Sequence, residues 1–462
     1  MKNGLYKPAD SYADDGIACL RMYNINDGKI VWENIKRMRL SEEEVDDYQL
    51  LPGDLLVNRV NSRELVGKAA VIPQGMGKSV FESKNIRVRI RREAASPEYA
   101  NYALLLGGQR HFTQNAQQVV GMASISQPQI ADFPLPLPPL AEQQRIVAKL
   151  EVLLGKVDAC RKRLLKIPVI LKRFRQSVLA AACSGRLTAD WREQNPSDTF
   201  DEVADELPGG WKTVCVGEAI ESLKYGTAQK CGYEKLGVPV LRIPNVANGT
   251  IDHADLKYAD LPLKERSQLQ LHPGDILLIR SNGSVSLVGK CALVRETERG
   301  FAYAGYLIRL RPNPAVVEPE FLNMALSSFD IRLQIELDAR STSGVNNINS
   351  EEVKALHFNL PPLPEQHEIV RRVDALFALA DQIETRYTKA KTHVDRLTQT
   401  ILAKALRGDL VPQDPNDEPA AVLLERIRSQ RQESVVRIQS RRKGVSTEGK
   451  AGRFQVPSAT LG

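Results

Sequence analysis

A sustained heptad pattern occupies residues 137–188. Apolar side chains recur at alternating spacings of four and three, which is typical of one face of a long helix that packs along another helix. They are Ile146, Leu150, Leu153, Val157, Cys160, Leu164, Ile167, Leu171, Phe174, Val178 and Ala181. A helix of roughly 40 residues is about 60 Å long. It is too narrow to bury this stripe by itself, so the pattern predicts a partner helix.

The chain supplies that partner, because the same stretch occurs twice. LPPLAEQ at 137–143 aligns without a gap with LPPLPEQ at 360–366. The second seam comprises Ile369, Val373, Leu376, Ala380, Ile383, Tyr387, Ala390, Val394, Leu397 and Ile401. We therefore predict two similar long helices that pack against each other within one chain.

Helix start and stop signals frame both copies. Glu142 and Glu365 fall in the first turns, where negative charge is favourable, and Gly185 and Gly408 fall where C-terminal caps are expected. Pro168 lies inside the first copy, and its counterpart in the second is a lysine. A proline inside a helix costs about 3 kcal/mol and kinks it, so we expect only the first helix to be kinked.

The segments that precede the two helices also match each other. PGDLLVNRVNSRELVGKAAVI at 52–72 aligns with PGDILLIRSNGSVSLVGKCALV at 273–294. Short β-branched runs separated by Gly, Pro and Asn predict strands joined by tight loops, with helices near 97–106 and 318–325. We interpret the repeated PGD as turn chemistry alone. The chain is thus a duplication of a mixed α/β unit followed by a long helix, an α+β fold.

This pattern predicts the boundaries of six segments. Globular units cover 1–136 and 207–359, long helices cover 137–190 and 360–410, residues 191–206 form a linker, and 411–462 contain a short helix near 420–432 followed by a basic, disordered end. Gly4 is the expected equivalent of Gly226, so WKTVCVGEAI of the second unit has no counterpart. Either the first unit lacks an edge element or the natural start lies further upstream.

Composition adds a modest preference for a polyanionic partner. The formal net charge is +7 and the pI is near 9.0, although part of the excess lies in the basic tail. The six cysteines are far apart and form no C-x-x-C pair, which favours reduced structural thiols. The N-terminus has no apolar core of a signal peptide, and no run of 18 apolar residues occurs. We therefore expect a cytoplasmic protein without a membrane span.

Catalytic chemistry is not evident in the sequence. GMGKS at 75–79 lacks the first glycine of a phosphate-binding loop, because that position is Ile72. The six histidines have no metal-ligand spacing, and no NPP[YF]-type motif of an adenine methyltransferase occurs. We predict no catalytic residue, no metal and no cofactor.

Combined in this order, the motifs resemble the DNA-specificity subunit of type I restriction-modification systems. They are LPPLAEQQRIV and LPPLPEQHEIV, the helix ends AACSGRLTADW and KALRGDLVPQD, and the LPGGWKTVCVGE stretch. The resemblance runs from about Gly4 to Gln432. It implies two target recognition domains that each read half of an interrupted DNA sequence, and long helices that form an antiparallel coiled coil. It also implies a non-catalytic subunit whose partners are double-stranded DNA, methyltransferase subunits and restriction subunits.

Two pairs of equivalent loops carry side chains of the types that contact bases and phosphates, chiefly Arg, Lys, Asn, Gln and Ser. The candidates are Lys7, Arg59, Asn61, Arg63, Lys68, Gln117, Gln118, Lys230, Arg280, Asn282, Ser284, Lys290, Arg340, Ser341 and Asn346. For any one of them, a solvated position in a polar loop without DNA contact is an equally good interpretation. Lys68 and Lys290 are shared by both units, which favours a phosphate or structural role, whereas base readers should differ between the units.

One other function is compatible with part of the pattern, and a second one is not. Heptads do not choose between pairing within one chain and pairing between chains, so a homodimeric coiled-coil scaffold without DNA specificity is the alternative, and light scattering would distinguish a monomer from a dimer. A single-chain nuclease or methyltransferase would need motifs that are absent.

Helix geometry gives a first testable prediction. A four-residue insertion in one long helix adds about one turn, or about 5.4 Å, which corresponds to one to two base pairs of DNA. We expect methylome sequencing to show a changed spacer in the recognised DNA and unchanged half-sites. Altered half-sites would contradict this prediction.

Overall fold

The computed structural model describes residues 1–119, 121–196, 207–338, 340–342, 345–430 and 432. The chain divides into two compact units. Unit 1 comprises Met1–Lys162 and Lys391–Gly462, and unit 2 comprises Arg163–Ala390. Each unit therefore contains one globular segment and a part of each long helix. The basic end predicted to be disordered lies outside the described residues, and the short helix predicted near 420–432 is present over 420–430.

Short strands dominate the globular part of unit 1. Its strands are β1 (Lys2–Asn3), β2 (Tyr12–Leu20), β3 (Ile25–Asn26), β4 (Lys29–Ile30), β5 (Lys36–Met38), β6 (Leu55–Asn58), β7 (Val60–Asn61), β8 (Ala69–Val71), β9 (Ser79–Phe81), β10 (Asn85–Val88), β11 (Gln117–Val119) and β12 (Met122–Ser124). Its helices are α1 (Glu42–Tyr48), α2 (Pro97–Ala103), α3 (Gln109–Asn115), α4 (Gln127–Ala131) and the long α5 (Leu140–Leu164), with a π-helical turn over Leu104–Gly108.

Unit 2 repeats this arrangement. Its strands are β13 (Lys212–Cys215), β14 (Ile220–Tyr225), β15 (Val238–Leu241), β16 (Lys257–Ala259), β17 (Ile276–Ile279), β18 (Ser281–Asn282), β19 (Cys291–Leu293), β20 (Ala302–Tyr303), β21 (Leu307–Pro312), β22 (Arg340–Thr342), β23 (Val345–Asn347) and β24 (His357–Leu360). Its helices are α6 (Ile167–Cys183), α7 (Ala189–Gln194), α8 (Val216–Ala219), α9 (Ile243–Val246), α10 (Leu263–Leu269), α11 (Pro319–Leu326), α12 (Phe329–Asp338), α13 (Ser350–Ala355) and α14 (Leu363–Leu406).

Three sheets of unit 1 have counterparts in unit 2, whereas β3-β4 of unit 1 and β13-β24 of unit 2 have none among the described residues. The antiparallel sheet β1-β10-β6-β8 matches β14-β21-β17-β19, and β5-β2-β9 matches β16-β15-β20, each with one parallel pair. Fully buried strands such as β6 and β17 form the centre, because both of their faces are covered. The predicted strands and the helices after Pro97 and Glu318 are therefore confirmed, as is the α+β fold class.

The long helices occupy equivalent positions in the repeat. They begin at Leu140 and Leu363, and they end at Cys183 and Leu406. Gly185 and Gly408 follow with positive φ angles of 73° and 81°, as expected of glycines that cap helix C-termini.

The first copy differs from its prediction in one respect. It is interrupted rather than only kinked: α5 ends at Leu164 and α6 begins at Ile167, with Pro168 in the first turn of α6. A proline in a first turn leaves no hydrogen bond unmade. The break therefore replaces a strained helix by two unstrained ones, while α14 continues for 44 residues.

The two copies run antiparallel where they meet inside unit 1. Arg161 Nε of α5 lies 3.6 Å from Asp395 Oδ1 of α14. Leu150, which is earlier in α5, shares a buried cluster with Leu402 and Ala405, which are later in α14. Residues later in α5 therefore contact residues earlier in α14, which is the order of an antiparallel pair.

Unit 2 contains an antiparallel pair of its own. Arg175 Nη2 lies 2.7 Å from Asp381 Oδ1 and 2.8 Å from Glu384 Oε2. Further along, Arg372 Nη1 donates a 2.8 Å hydrogen bond to the Leu187 carbonyl. These contacts support the internal helix pairing that the heptads predicted.

Burial of the seam follows the heptads. The buried members are Ile146, Leu150, Val157, Leu171, Val178, Ile369, Val373 and Ala380, and the half-buried ones are Leu153, Leu164, Phe174, Leu376, Tyr387, Val394, Leu397 and Ile401. Cys160, Ile383 and Ala390 depart from this pattern, because they are exposed. The Arg175 ion pairs with Asp381 and Glu384 flank Ile383, so polar contacts hold the helices there.

The repeated glutamine of LPPLxEQ joins each long helix to the globular part of its own unit. Gln143 accepts a 2.9 Å hydrogen bond from the Ser96 backbone N–H, and Ser96 is the N-cap of α2. Gln366 accepts one of 2.7 Å from Glu318, the N-cap of α11. Both glutamine side chains are fully buried. The glutamine of the motif thus anchors the first turn of each long helix to the N-terminus of a globular helix, α2 or α11.

The PGD motif has a second role, which corrects its interpretation as turn chemistry alone. Asp275 caps its turn by accepting a 2.8 Å hydrogen bond from the His272 backbone N–H. It also accepts two hydrogen bonds from Arg311 in β21, of 2.7 and 2.8 Å. Asp54 binds Arg89 in the equivalent way. The aspartate therefore fastens the turn to the central sheet.

We expect Asp275→Asn to lower the free energy of unfolding of unit 2 by about 1.5–3 kcal/mol, the value of hydrogen bonds to charged groups. Asparagine can still accept from His272, but it loses the charge that binds Arg311. Urea unfolding followed by tryptophan fluorescence would measure the effect. Asp54→Asn, the same change in unit 1, is the matched control and should leave unit 2 unaffected.

Two further properties concern the described part of the chain. None of its helices is long and apolar enough to cross a membrane. The six cysteines are free thiols, and burial raises the pKa of Cys19 and of Cys183 to about 12, which suits inert structural residues.

Candidate nucleic-acid interface

The two predicted loops of each unit come together in one small sheet. In unit 1, β7 pairs with β12 of the 117–124 hairpin, with Asn61 opposite Ala123. In unit 2, β18 pairs with β23 of the 340–347 hairpin, with Asn282 opposite Asn346. Candidates that are more than 50 residues apart in sequence therefore share one surface in each unit.

Arg59 and Arg280 hold equivalent positions beside these sheets. Ile125, which follows the first hairpin, donates its backbone N–H to the Arg59 carbonyl at 2.9 Å. Ile348, which follows the second hairpin, donates to the Arg280 carbonyl, also at 2.9 Å. Both arginines thus lie where the central sheet continues into the small sheet.

The Arg280 side chain is held more firmly than that of Arg59. Its guanidinium lies 4.5 Å from the centroid of the Tyr225 ring, and its Nε donates to Asn347 Oδ1 at 3.3 Å. The Tyr225 hydroxyl accepts a 2.9 Å hydrogen bond from the Ser350 backbone N–H. Arg59 Nε instead donates to the Ile125 carbonyl at 3.4 Å. Stacking on a fixed ring orients the planar fork of Arg280, which suits bidentate contact with guanine.

A tight turn precedes the shared lysines. Gly67 and Gly289 have φ angles of +85° and +81°. A Cβ on Gly289 would lie 2.4 Å from Ile335 Cδ1, so only glycine fits there. Lys290 Nζ donates to the Ala247 carbonyl at 2.9 Å, and Lys68 is half-buried. Backbone geometry thus explains the shared glycine of the V-G-K sequence.

Some of the other candidate side chains are exposed to solvent and others are buried. Arg63, Gln117 and Ser284 are exposed. Asn61 is buried, donates to Asn58 Oδ1 at 2.8 Å and accepts from the Ser62 N–H, so both ends of its amide are used within the protein.

Asn346 and Asn282 are also engaged within the protein. Asn346 is buried and donates to the Gly283 carbonyl at 3.3 Å, and Asn282 Oδ1 accepts from the Ser284 N–H. These bonds stabilise the turn that follows β18.

Two lysines lie outside the small sheets. Lys7 forms a 2.5 Å ion pair with Glu44, while Lys230 is exposed in the loop after β14. For Gln118, Arg340 and Ser341 the structure describes the backbone alone: Gln118 pairs with Ala123, and the other two lie in β22.

Sequence reasoning missed three residues of this surface, Tyr225, Tyr306 and Asn347. The signal for Tyr306 was available, since it is an aromatic residue between Gly305 and a buried strand, and it is 63% exposed. Tyr225 and Asn347 gave no such signal, because their importance comes only from their contact with Arg280.

A duplicated α+β unit that presents Arg, Gln and Ser side chains from two equivalent small sheets defines a protein with two similar recognition modules. The family model of the type I restriction modification DNA specificity domain matches residues 20–168 and 208–391. The chain belongs to this family.

Similar proteins agree with this assignment. The type I restriction enzyme EcoKI specificity subunit of Escherichia coli K12 is 32% identical over 453 residues, which cover 93% of this chain and 92% of that protein. The StySPI specificity subunit of Salmonella potsdam is 32% identical over 452 residues, with the same coverage.

Solved structures share the fold. An HsdS subunit from Thermoanaerobacter tengcongensis has a TM-score of 0.56 at 21% identity, covering 88% of this chain and 95% of that one. A chain from a structure of the type I R-M system has a TM-score of 0.64 at 21% identity, covering 88% and 96%.

These relatives are specificity subunits. The predicted family, the role in sequence-specific DNA recognition and the non-catalytic nature of the subunit are therefore confirmed. Nothing in the comparisons supports the alternative of a coiled-coil scaffold without DNA specificity.

Proposed function

We propose that the two units read the two halves of one interrupted DNA sequence. The recognition domains are residues 1–136 and 207–359, each followed by one long helix. The observation that carries the proposal is the small sheet that occurs in both units, because it brings two polar loops and one arginine to equivalent positions. Two equivalent polar surfaces in one chain suit a DNA target with two similar contact regions.

The candidate contacts have two different roles in this proposal. Arg59, Arg63 and Gln117 of unit 1, and Arg280 and Ser284 of unit 2, differ between the repeats in identity or in side-chain contacts, and we assign them to base reading. Lys68 and Lys290 are common to both units and we assign them to phosphates, which fix register without carrying sequence information.

The partners in this proposal are double-stranded DNA, methyltransferase subunits and restriction subunits, assembled in the cytoplasm. The family supports DNA and the restriction-modification complex as partners, and the chain itself carries neither a methyltransferase motif nor a nucleotide-binding loop. The specificity subunit would therefore direct chemistry that other subunits perform.

The test is selective methylation of a random DNA pool. The chain is assembled with its methyltransferase subunits, supplied with methyl donor, and the methylated molecules are sequenced. We expect two blocks of specified bases separated by a fixed number of unspecified ones. A single contiguous block would contradict the proposal.

A chimera provides the matched control. Replacing the 340–347 hairpin by the 117–124 hairpin of unit 1 should change one block and leave the other block and the spacer unaltered, because only one of the two sheets is modified. A change in both blocks would mean that the hairpins do not act separately.

A further inference from the structure

A cavity of about 560 Å³ lies in unit 2 beside Arg280. It opens between the loop that contains Gln229, the start of α9 and the turn at Tyr306. Its volume falls in the range of about 300–1,000 Å³ that is typical of small-molecule sites. The Arg280 backbone N–H donates to the Tyr306 carbonyl at 3.0 Å. DNA in contact with Arg280 would therefore lie next to this cavity.

The loop over the cavity is fixed from several sides. The Thr227 N–H donates to the Tyr303 carbonyl at 2.9 Å, and the Thr227 carbonyl accepts from Gly305 at 2.8 Å. The Thr227 hydroxyl donates to Glu265 Oε1 of α10 at 2.6 Å. The cavity is thus formed before any ligand arrives, which lowers the cost of binding.

The walls have the chemistry of a site for a flat, polar ring. Ile243 and Pro244 supply apolar surface, and Gln229 supplies an amide. Tyr306 lines the cavity although it is 63% exposed. Proteins hold unstacked bases by stacking them on aromatic side chains and by hydrogen bonding to their edges.

The charges favour a base over a lone anion. Arg242 Nη2 donates to Asp255 Oδ2 at 2.6 Å and to the Asp255 carbonyl at 2.8 Å. The hydrogen bonds from Arg242 and then from Tyr233 lower the pKa of Asp255, so the carboxylate is ionised at neutral pH and compensates the arginine. Lys257, also in the wall, has its ammonium 4.6 Å from the Tyr233 ring centroid, so a cation–π contact within the protein already engages its charge.

We propose that this cavity receives one base extruded from the duplex of the second half-site, with Tyr306 stacking on the base and Gln229 bonding to its edge. The inference rests on the proposed function, since it requires that unit 2 binds DNA. It adds a specificity-determining step, because only a base that fits the cavity lets the duplex settle on Arg280.

The experiment is an abasic scan. The full complex of the chain with its methyltransferase subunits, without methyl donor, is titrated with duplexes that lack one base at each position in turn, on either strand. A missing base removes the cost of extrusion and also the group on which Tyr306 stacks. We expect Tyr306→Ala to weaken binding of the intact duplex by roughly threefold or more and to have no effect on a duplex that lacks one particular base in or beside the second half-site. Gln229→Ala should depend on the same base and cause a smaller loss.

Controls identify the source of the signal. Phe329→Ala removes another exposed aromatic residue of unit 2, 73% exposed and outside the cavity wall, and it should leave binding of the intact and the abasic duplexes unchanged. A loss in Tyr306→Ala that is equal on the intact duplex and on every abasic duplex would show that Tyr306 does not hold a base and would overturn the inference. Binding of a free deoxynucleoside monophosphate that depends on Tyr306, without any abasic effect, would make the cavity a site for free nucleotides and would also overturn it.

The same scan separates this inference from the proposed function. If the intact duplex is bound specifically and no abasic position removes the effect of Tyr306→Ala, the cavity inference is wrong and the proposed function stands. If the complex has no preference for the specific duplex, both fail.

Discussion

Arg280→Ala should weaken discrimination at one guanine of the second half-site by about 1–3 kcal/mol, the contribution of one good bidentate contact, and leave the first half-site unchanged. The guanidinium is stacked 4.5 Å from the Tyr225 ring centroid and bonded through Nε to Asn347. Its two terminal nitrogens have no hydrogen-bond partner among the described residues, and the stacking restrains the plane in which they lie. Alanine removes both donors together.

Affinity measurements on duplexes with single base changes would test this. Arg280→Lys keeps the positive charge but not the planar fork, so it should lose nearly as much discrimination as alanine. Arg59→Ala is the matched control and should affect the first half-site alone. Equal loss on specific and random DNA would instead make Arg280 a phosphate contact.

Glu365→Ala should lower the free energy of unfolding of unit 2 by about 3–5 kcal/mol, the cost of breaking a buried charged pair. Glu365 is 1% exposed. Its Oε2 accepts a 2.9 Å hydrogen bond from Trp211 Nε1, and its Oε1 accepts from Thr188 at 2.6 Å and from Arg192. Alanine would leave three donors without their acceptor in a buried site.

Urea unfolding followed by tryptophan fluorescence is a suitable measurement, in a Trp32→Phe background so that the signal comes from Trp191 and Trp211 of unit 2. Glu365→Gln keeps the shape and one acceptor oxygen, and we expect a smaller loss. Glu351→Ala, at an exposed glutamate, should have little effect. A Glu365→Ala protein as stable as the parent would show that the network contributes little.

The sequence assigned Glu365 a smaller role than the structure does. Its place in the first turn of a helix suggested a favourable interaction with the helix dipole, worth about 0.3–1 kcal/mol at the surface. The larger role comes from Trp211, which is 154 positions away in sequence. The PGD motif is a second example. Its turn could be predicted from the sequence, whereas the contact of its aspartate with an arginine of the sheet could not.

The candidate site was predicted in parts. The two loops of each unit were identified from residue types and repetition, and they do share a sheet. Asn61 and Asn346 matched the residue types of base readers, yet both are buried and bonded within the protein. Residue type alone does not distinguish an asparagine that supports a turn from one that faces solvent.

The sequence by itself determined what depends on short-range pattern or on repetition: the duplication, the strands, and two helical stretches that begin and end at the same repeat positions. Heptad spacing, turn residues and caps act over a few residues, so they can be read directly. Only the tertiary structure decided that Arg280 stacks on Tyr225, that Trp211 binds Glu365, and that a cavity lies beside Tyr306. Those contacts join residues that are far apart in the chain, and they form only when the core packs and brings them within hydrogen-bonding distance.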